Sequence, residues 1–142
     1  MVRQQPCPCE QCPHGTWGFV LVVDEDDTKR DVVGHTLSQS GYRVSIAANA
    51  RMALDSLLAG RLPCVILLDL AMPIMDGWEF MMQRQRDAAL SRIPVALMSG
   101  SIDRRALVLD AEEYLNRPFD PQELLATVQR CCAVLNQRES SP

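Results

Sequence analysis

The chain has 142 residues, 47% of them hydrophobic and 23% charged, which fits one globular domain with a single core. Its net charge of −4 argues against nucleic-acid binding, which needs clustered Lys and Arg. The chain also lacks a signal-peptide pattern and any apolar run near the roughly 18 residues of a membrane span. We therefore expect a soluble, cytoplasmic protein with no membrane partner.

The first segment, residues 1–16, is rich in Pro, Gln and Cys without periodicity and is predicted to be a flexible leader. Cys9 and Cys12 have the C-x2-C spacing of a zinc knuckle, and Cys7 and His14 lie nearby. Prolines among these residues and the lack of a second knuckle make a closed tetrahedral site hard to build. A disordered or redox-sensitive leader is the preferred interpretation, and zinc is the alternative.

After the leader, a domain is predicted over 17–136, in which apolar strand-like runs alternate with helical patterns. The predicted elements, in chain order, are strand 19–23, helix 28–39, strand 42–47, helix 50–60, strand 64–70, helix 76–87, strand 93–99, helix 103–109, strand 113–116 and a last helix. This alternation predicts a parallel sheet covered on both faces by helices.

Side-chain patterns mark the ends of this domain. Val32, Val33, Thr36 and Leu37 fall at helical spacing on the first helix. Asp120 is a good N-cap for the last helix, with Pro121 at its first position and Glu123 placed to complete a capping box. The predicted apolar stripe of this helix comprises Leu124, Leu125, Val128, Cys132 and Leu135. Residues 137–142 are polar and predicted to be a disordered tail. Cys64 and one member of the pair Cys131 and Cys132 are predicted to be core residues.

Polar residues stand where the predicted strands end. Asp24 and Glu25 follow the first strand, Asp69 ends the third, Ser99 ends the fourth and Arg117 follows the fifth. The carboxyl ends of parallel strands form the functional crevice of such sheets, so these side chains are expected to converge. Carboxylates held together repel one another, and a hard cation such as Mg²⁺ would stabilise them.

This set of residues suggests phosphoryl chemistry. A carboxylate beside Mg²⁺ can attack phosphorus and form an aspartyl phosphate. Arg117 would neutralise charge on the phosphoryl oxygens, and Ser99 would donate a hydrogen bond to them. The alternative is purely structural: Asp26 or Asp27 caps the next helix, and Asp69 forms a turn.

Five stretches, in this order, resemble a response-regulator receiver domain of bacterial two-component signalling (CheY-like): VLVVDED, GYRVSIAANARMAL, VILLDLAMPIMDGWEF, IPVALMS and YLNRPFDPQEL. The resemblance implies an α/β, flavodoxin-like fold, with a doubly wound five-stranded parallel sheet of order 2-1-3-4-5. It also implies a phosphorelay protein whose partner is a sensor histidine kinase or a histidine phosphotransfer protein, with Mg²⁺ as cofactor.

The resemblance implies a role for each of the acidic residues. Asp69 matches the phosphoacceptor. Asp24 and Glu25 match the acidic pair that binds Mg²⁺, and Asp69 and the backbone carbonyl of Ala71 complete the ligands from the protein.

The remaining matches include departures from the family. Ser99 matches the switch hydroxyl, and Tyr114 matches the aromatic residue whose position accompanies activation. The family has lysine where this chain has Arg117, a planar fork that does not replace an ammonium group in shape. Gly100 replaces the usual alanine. The segment between Ser99 and Arg117 is short, which shortens the family's fourth helix to 103–109.

Three functions are considered. The first is a stand-alone receiver, which is no enzyme beyond its own phosphotransfer and autodephosphorylation. It would signal to an unknown target protein, because no output domain fits after the last helix, and a weak dimer is left open. The second is a degenerate receiver that binds proteins independently of phosphorylation, which Arg117 and the short helix favour. The third, a phosphatase with an aspartate nucleophile, matches poorly because Ala71 stands where a second acid is needed.

Overall fold

The structure is a computed structural model that describes residues 18–70, 77–100 and 111–140. Its elements are β1 (Phe19–Val23), α1 (Asp27–Gln39), β2 (Arg43–Ala47), α2 (Ala50–Leu58), β3 (Val65–Asp69), α3 (Gly77–Arg86), a 3₁₀ turn (Leu90–Arg92), β4 (Val95–Ser99), β5 (Glu113–Asn116) and the C-terminal helix (Pro121–Ser140). None of the helices within these ranges combines the length and the apolar character of a membrane-spanning segment.

The five strands form one parallel sheet of order β2-β1-β3-β4-β5, which confirms the predicted fold. Alternate side chains of each strand enter two separate cores. In β1, Val20 and Val22 pack with α1 and the C-terminal helix, whereas Leu21 and Val23 pack with α2 and α3. Because the central strands are covered on both faces, their sequences are apolar at nearly every position.

Side-chain caps set where three helices begin. Asp26 accepts a hydrogen bond from the backbone N–H of Lys29, and Asn49 accepts one from that of Met52. Asp120 accepts from the backbone N–H of Glu123 at 2.8 Å, which confirms it as the predicted cap. The reciprocal bond of a capping box stays a prediction.

Within α1, Val33 and Leu37 are buried against the sheet, whereas Val32 is 61% exposed. Two sequence predictions need correction. Both Cys131 and Cys132 are fully buried, rather than one of them. The C-terminal helix continues to Ser140 through part of the predicted tail. The leader, with its Cys and His residues, and the predicted helix 103–109 lie outside the described residues.

A buried charge cluster ties the C-terminal helix to the end of the sheet opposite the polar strand ends. The Glu112 carboxylate accepts hydrogen bonds from Arg84 at 3.3 Å, from Arg138 at 2.6 Å and from the backbone N–H of Val95 at 2.7 Å. The side chain of Glu112 is 8% exposed and that of Arg84 is 4% exposed. Arg138 anchors the last turn of the helix, which explains why residues 137–140 are helical.

The start of α3 packs closely against the end of β3. A Cβ atom on Gly77 would lie 3.0 Å from Leu70 Cα and 3.3 Å from the Asp69 carbonyl oxygen. Backbone atoms cannot move as freely as side chains, so the end of β3 would have to shift. For Gly100, which follows β4, an added Cβ would meet no heavy atom of the described residues within 4 Å.

Gly77→Ala is therefore expected to lower the free energy of unfolding by about 1–2 kcal/mol through overpacking. The matched variant Gly100→Ala should leave this free energy unchanged or raise it by up to about 1 kcal/mol, because alanine restricts the unfolded chain. Urea unfolding of both variants checks this. Equal stabilities would show that α3 can move away from β3 at no cost.

Candidate functional site

The strand register brings four of the predicted site residues to one edge of the sheet. Val23 of β1 pairs with Leu68 of β3. The next residues are Asp24, which follows β1, and Asp69, which ends β3, so the two acids lie at the ends of neighbouring strands. Asp69 itself pairs with Met98, one residue before Ser99. Ser99 pairs with Asn116, one residue before Arg117. The predicted convergence at the carboxyl edge is thus present.

A cleft of about 620 Å³ opens at this edge. Its floor includes Asp69 and Ser99, and Arg117 lies on one side. The first turns of α1 form the opposite wall, where Lys29 and Val32 lie. Asp69 is 8% exposed and lies on the lining of this cleft.

Asp24 is the most deeply buried charge of the site, with no exposed surface. Its Oδ1 accepts a hydrogen bond from the backbone N–H of Asp26 at 2.9 Å. Its Oδ2 accepts one from Nη2 of Arg117 at 2.7 Å. The guanidinium of Arg30 also donates to the Asp24 backbone carbonyl, at 3.0 Å. Two donors thus engage the carboxylate itself, and Arg30 fixes the backbone beside it.

Arg117 is held by several neighbours besides Asp24. Its backbone N–H donates to the Ser99 carbonyl at 2.8 Å, which continues the ladder between β4 and β5. Its guanidinium lies 5.6 Å from the centre of the Phe119 ring and 3.8 Å from Met98 Sδ. The peptide bond to Pro118 is cis. The side chain is only 17% exposed.

The acidic residues after β1 have different positions, so that some fit the proposed cation site and another caps the next helix. Asp24 faces inward, Glu25 is exposed and lines the cleft, and Asp26 caps α1. The hydrogen bond from the Lys29 backbone N–H lowers the pKa of Asp26. Because the folded-state pKa is lowered, the cap stabilises α1 above the ordinary value near 3.8 and weakens as the pH falls through the folded value.

The donor set suits a hard divalent cation. Asp24 and Asp69 offer carboxylate oxygens from the sheet edge, and Glu25 offers a third from the rim, which is the chemistry that Mg²⁺ prefers. Within residues 18–70, 77–100 and 111–140, no three acidic, His or Cys side chains come together closely enough to enclose a metal ion. The fourth predicted ligand, the carbonyl of Ala71, lies outside the described residues. The magnesium site stays a prediction.

Tyr114 lies apart from these residues. It pairs with Leu97 in the sheet and packs, partly buried, on the face covered by α2 and α3. Its hydroxyl accepts a hydrogen bond from the Ala111 backbone N–H at 3.3 Å. Its role as a switch residue stays a prediction.

Sequence reasoning missed three contributors to the site: Arg30, Met98 and Phe119. Arg30 lies one helical turn into α1, where an arginine is usually an exposed surface residue. Met98 belongs to an apolar strand. Phe119 lies two residues after Arg117, and this closeness to a cation in the sequence is the one signal that could have identified it as a neighbour of the site.

The model of the family described as "Response regulator receiver domain" matches residues 20–129. Among solved structures, the chain is similar to Vibrio cholerae chemotaxis protein CheY4, at 33% identity and a TM-score of 0.72, over 79% of this chain and 96% of that one. It is also similar to a putative response regulator of Chloroflexus aurantiacus, at 28% identity and a TM-score of 0.76, over 81% and 97% of the two chains.

Two relatives differ in how much of them is matched. A 14.6 kDa protein of Leptolyngbya boryana is 37% identical, over 80% of this chain and 88% of that protein. The alkaline phosphatase synthesis transcriptional regulatory protein SphR of Synechococcus elongatus is 33% identical, over 87% of this chain but 51% of SphR. The chain therefore spans about half the length of that regulator.

Proposed function

The chain belongs to the family of response regulator receiver domains, and we propose that it accepts a phosphoryl group on Asp69 in a Mg²⁺-dependent reaction. The donor would be a sensor histidine kinase or a histidine phosphotransfer protein. One observation carries the proposal: Asp69 is a nearly buried carboxylate on the floor of an open cleft, with Ser99 and Arg117 on the same lining.

Each residue of the cleft has a task in this proposal. The rigid end of β3 orients the Asp69 carboxylate toward the donor phosphorus, which removes much of the entropic cost of the reaction. Ser99 donates a hydrogen bond to one phosphoryl oxygen, and the Arg117 guanidinium neutralises the charge on the others. Tyr114 would change its position when Asp69 is phosphorylated and so alter the protein surface near it.

Magnesium would supply charge neutralisation for the phosphoryl oxygens in the reaction. Asp24 and Glu25, with Asp69 and the carbonyl of Ala71, are the residues proposed to hold it. The burial of Asp24 supports this assignment, because a buried carboxylate gains more from a counter-charge than an exposed one does.

The output would pass through another protein. The proposal follows the two proteins that the chain matches over most of their length, CheY4 at 96% and the Leptolyngbya boryana protein at 88%, rather than SphR at 51%. In this proposal the protein works in the cytoplasm and turns over no substrate besides its own phosphoryl group. The identity of the target and a weak dimer are left open.

The test is the intact mass of the protein after incubation with acetyl phosphate, with and without Mg²⁺. We expect one phosphoryl group per chain, only with Mg²⁺, and none on Asp69→Asn. Asp55→Asn is the matched control, because Asp55 is exposed on α2, away from the cleft, and it should be phosphorylated like the wild type.

A second function is favoured by one observation. Arg117 is paired with Asp24, and a pair that never opened would leave a degenerate receiver that binds partners regardless of phosphorylation. Absence of an adduct on the wild-type protein at saturating Mg²⁺ would support this second function.

A further inference from the structure

Arg30 reaches from the first turns of α1 back to the end of β1. Its Nη1 donates a hydrogen bond to the Asp24 backbone carbonyl at 3.0 Å, and this carbonyl belongs to the peptide group that joins Asp24 to Glu25. We propose that Arg30 is a positioning residue for the divalent-cation site, because it fixes this peptide group and so the direction in which Glu25 presents its carboxylate. This inference rests on the proposed function, and it assigns to Arg30 no contact with the cation or the phosphoryl group.

Glu25 depends on this peptide group because the residues beside it are fixed and its own side chain is not. The Asp24 N–H donates to the Ala47 carbonyl at 3.2 Å. The Asp26 carboxylate accepts from the Lys29 N–H at 3.0 Å. Glu25 itself is exposed on the rim of the cleft, and the rotamers that such a long side chain loses on binding a cation cost free energy. A fixed peptide group lowers this cost, because all remaining rotamers start from one backbone position.

The guanidinium of Arg30 is held in place by its neighbours. Its Nη2 donates to the Asp27 carboxylate at 2.6 Å, and the Arg30 backbone N–H donates to the Asp26 carbonyl at 2.9 Å. The Arg30 side chain is 11% exposed, whereas that of Asp27 is 82% exposed. An ion pair with so exposed a carboxylate adds little stability by itself. Its contribution is to orient the planar fork, so that the other arm meets the Asp24 carbonyl.

One donor of Arg30 indicates that stability alone does not explain an arginine at this position. Its Nε is buried, and no hydrogen-bond partner for it occurs within residues 18–70, 77–100 and 111–140. A buried donor without a partner is costly, and an apolar side chain of similar length would occupy the same space without that cost. Departures of this kind from local rules are expected where a residue serves a functional site.

The test is the affinity for Mn²⁺ as a probe of the cation site, measured by calorimetry without any phosphodonor. Arg30→Met has a similar length but lacks the donors, and it should bind Mn²⁺ at least about tenfold more weakly than the wild type, as for other residues that orient metal ligands. A positive charge that acted only by repelling the cation predicts the opposite sign, because its removal would strengthen binding.

Lys29→Met is the matched control. It removes a positive charge from the wall of the same cleft and leaves the hydrogen bond from Arg30 to Asp24 intact. Its Mn²⁺ affinity should be unchanged or higher by up to about threefold.

A second readout separates positioning from damage to the fold. In Arg30→Met, the Mg²⁺ concentration that half-saturates phosphorylation by acetyl phosphate should rise, while the rate at saturating Mg²⁺ stays within about twofold of the wild type. A disturbed fold would lower the saturated rate as well. Urea unfolding covers a variant that folds poorly: since a ligand stabilises the state that binds it, Arg30→Met should gain less stability from Mg²⁺ than the wild type does.

A Mn²⁺ affinity of Arg30→Met that equals or exceeds that of the wild type would overturn the inference, as would an equal loss in Lys29→Met. Weaker Mn²⁺ binding by Arg30→Met, together with no acetyl phosphate adduct on the wild type, would instead contradict the proposed function and leave the inference standing.

Discussion

Glu112→Gln is expected to lower the free energy of unfolding by about 3 kcal/mol, the lower end of the range for breaking a buried ion pair. The glutamine would take the Glu112 negative charge away from Arg84, whose side chain is 4% exposed. Arg84 donates to the Ile93 carbonyl as well, at 2.7 Å, so it cannot turn to water without losing that bond. The last turn of the C-terminal helix should also fray, since Arg138 would lose the same carboxylate.

The neighbouring residue provides the matched control. Glu113 pairs with Arg130 at 2.6 Å, but the two side chains are 27% and 59% exposed. Glu113→Gln should therefore cost no more than about 1 kcal/mol, as for a surface pair. Urea unfolding of the two variants gives both values. Equal losses would show that the burial of the Glu112 cluster adds nothing to stability.

Asp24→Asn is expected to weaken Mg²⁺ binding by about a hundredfold, and to slow phosphorylation by acetyl phosphate at limiting Mg²⁺ in proportion. Mutating a residue that only orients a metal ligand typically costs about 10–100-fold in metal affinity. A residue that binds the metal directly is therefore expected to reach the upper end of this range. The amide lacks the negative charge that the cation requires, and it also leaves Arg117 without its ionic partner. Calorimetry with Mg²⁺ and intact mass over time measure the two effects.

Asp26→Asn is the control for this variant. It removes one negative charge two residues away, and asparagine caps a helix about as well as aspartate does. Its Mg²⁺ affinity should stay within about threefold of the wild type. If Asp24→Asn behaved like Asp26→Asn, Asp24 would have no direct part in binding the cation.

Much of the fold could be predicted because its signals are local. The bounds of β1 and β5 match the predicted runs 19–23 and 113–116, and β1 is a compact apolar run. The Asp120 cap could be predicted from three neighbouring residues. The order of the strands is not local, and it came from the family resemblance.

The missing parts depend on contacts between distant residues. Asp24 and Arg117 are 93 positions apart, so the sequence could place both at the sheet edge but could not show that they pair. An arginine on a helix usually lies at the surface, whereas Arg84 is buried beside acceptors from distant positions, among them the Ser91 and Ile93 carbonyls and Glu112. Helical spacing alone could not show which apolar residues of α1 are buried: Val33 and Leu37 meet the sheet, whereas Val32 is 61% exposed.

The central claim is that Asp69 carries the phosphoryl group, and chemical mapping tests it most directly. The protein would be phosphorylated with acetyl phosphate and Mg²⁺ and then treated with borohydride, which reduces an aspartyl phosphate to homoserine. Peptide mass spectrometry locates the modified residue. We expect homoserine at position 69 and at no other aspartate. An adduct at another residue, or no adduct with Mg²⁺ bound, would contradict it.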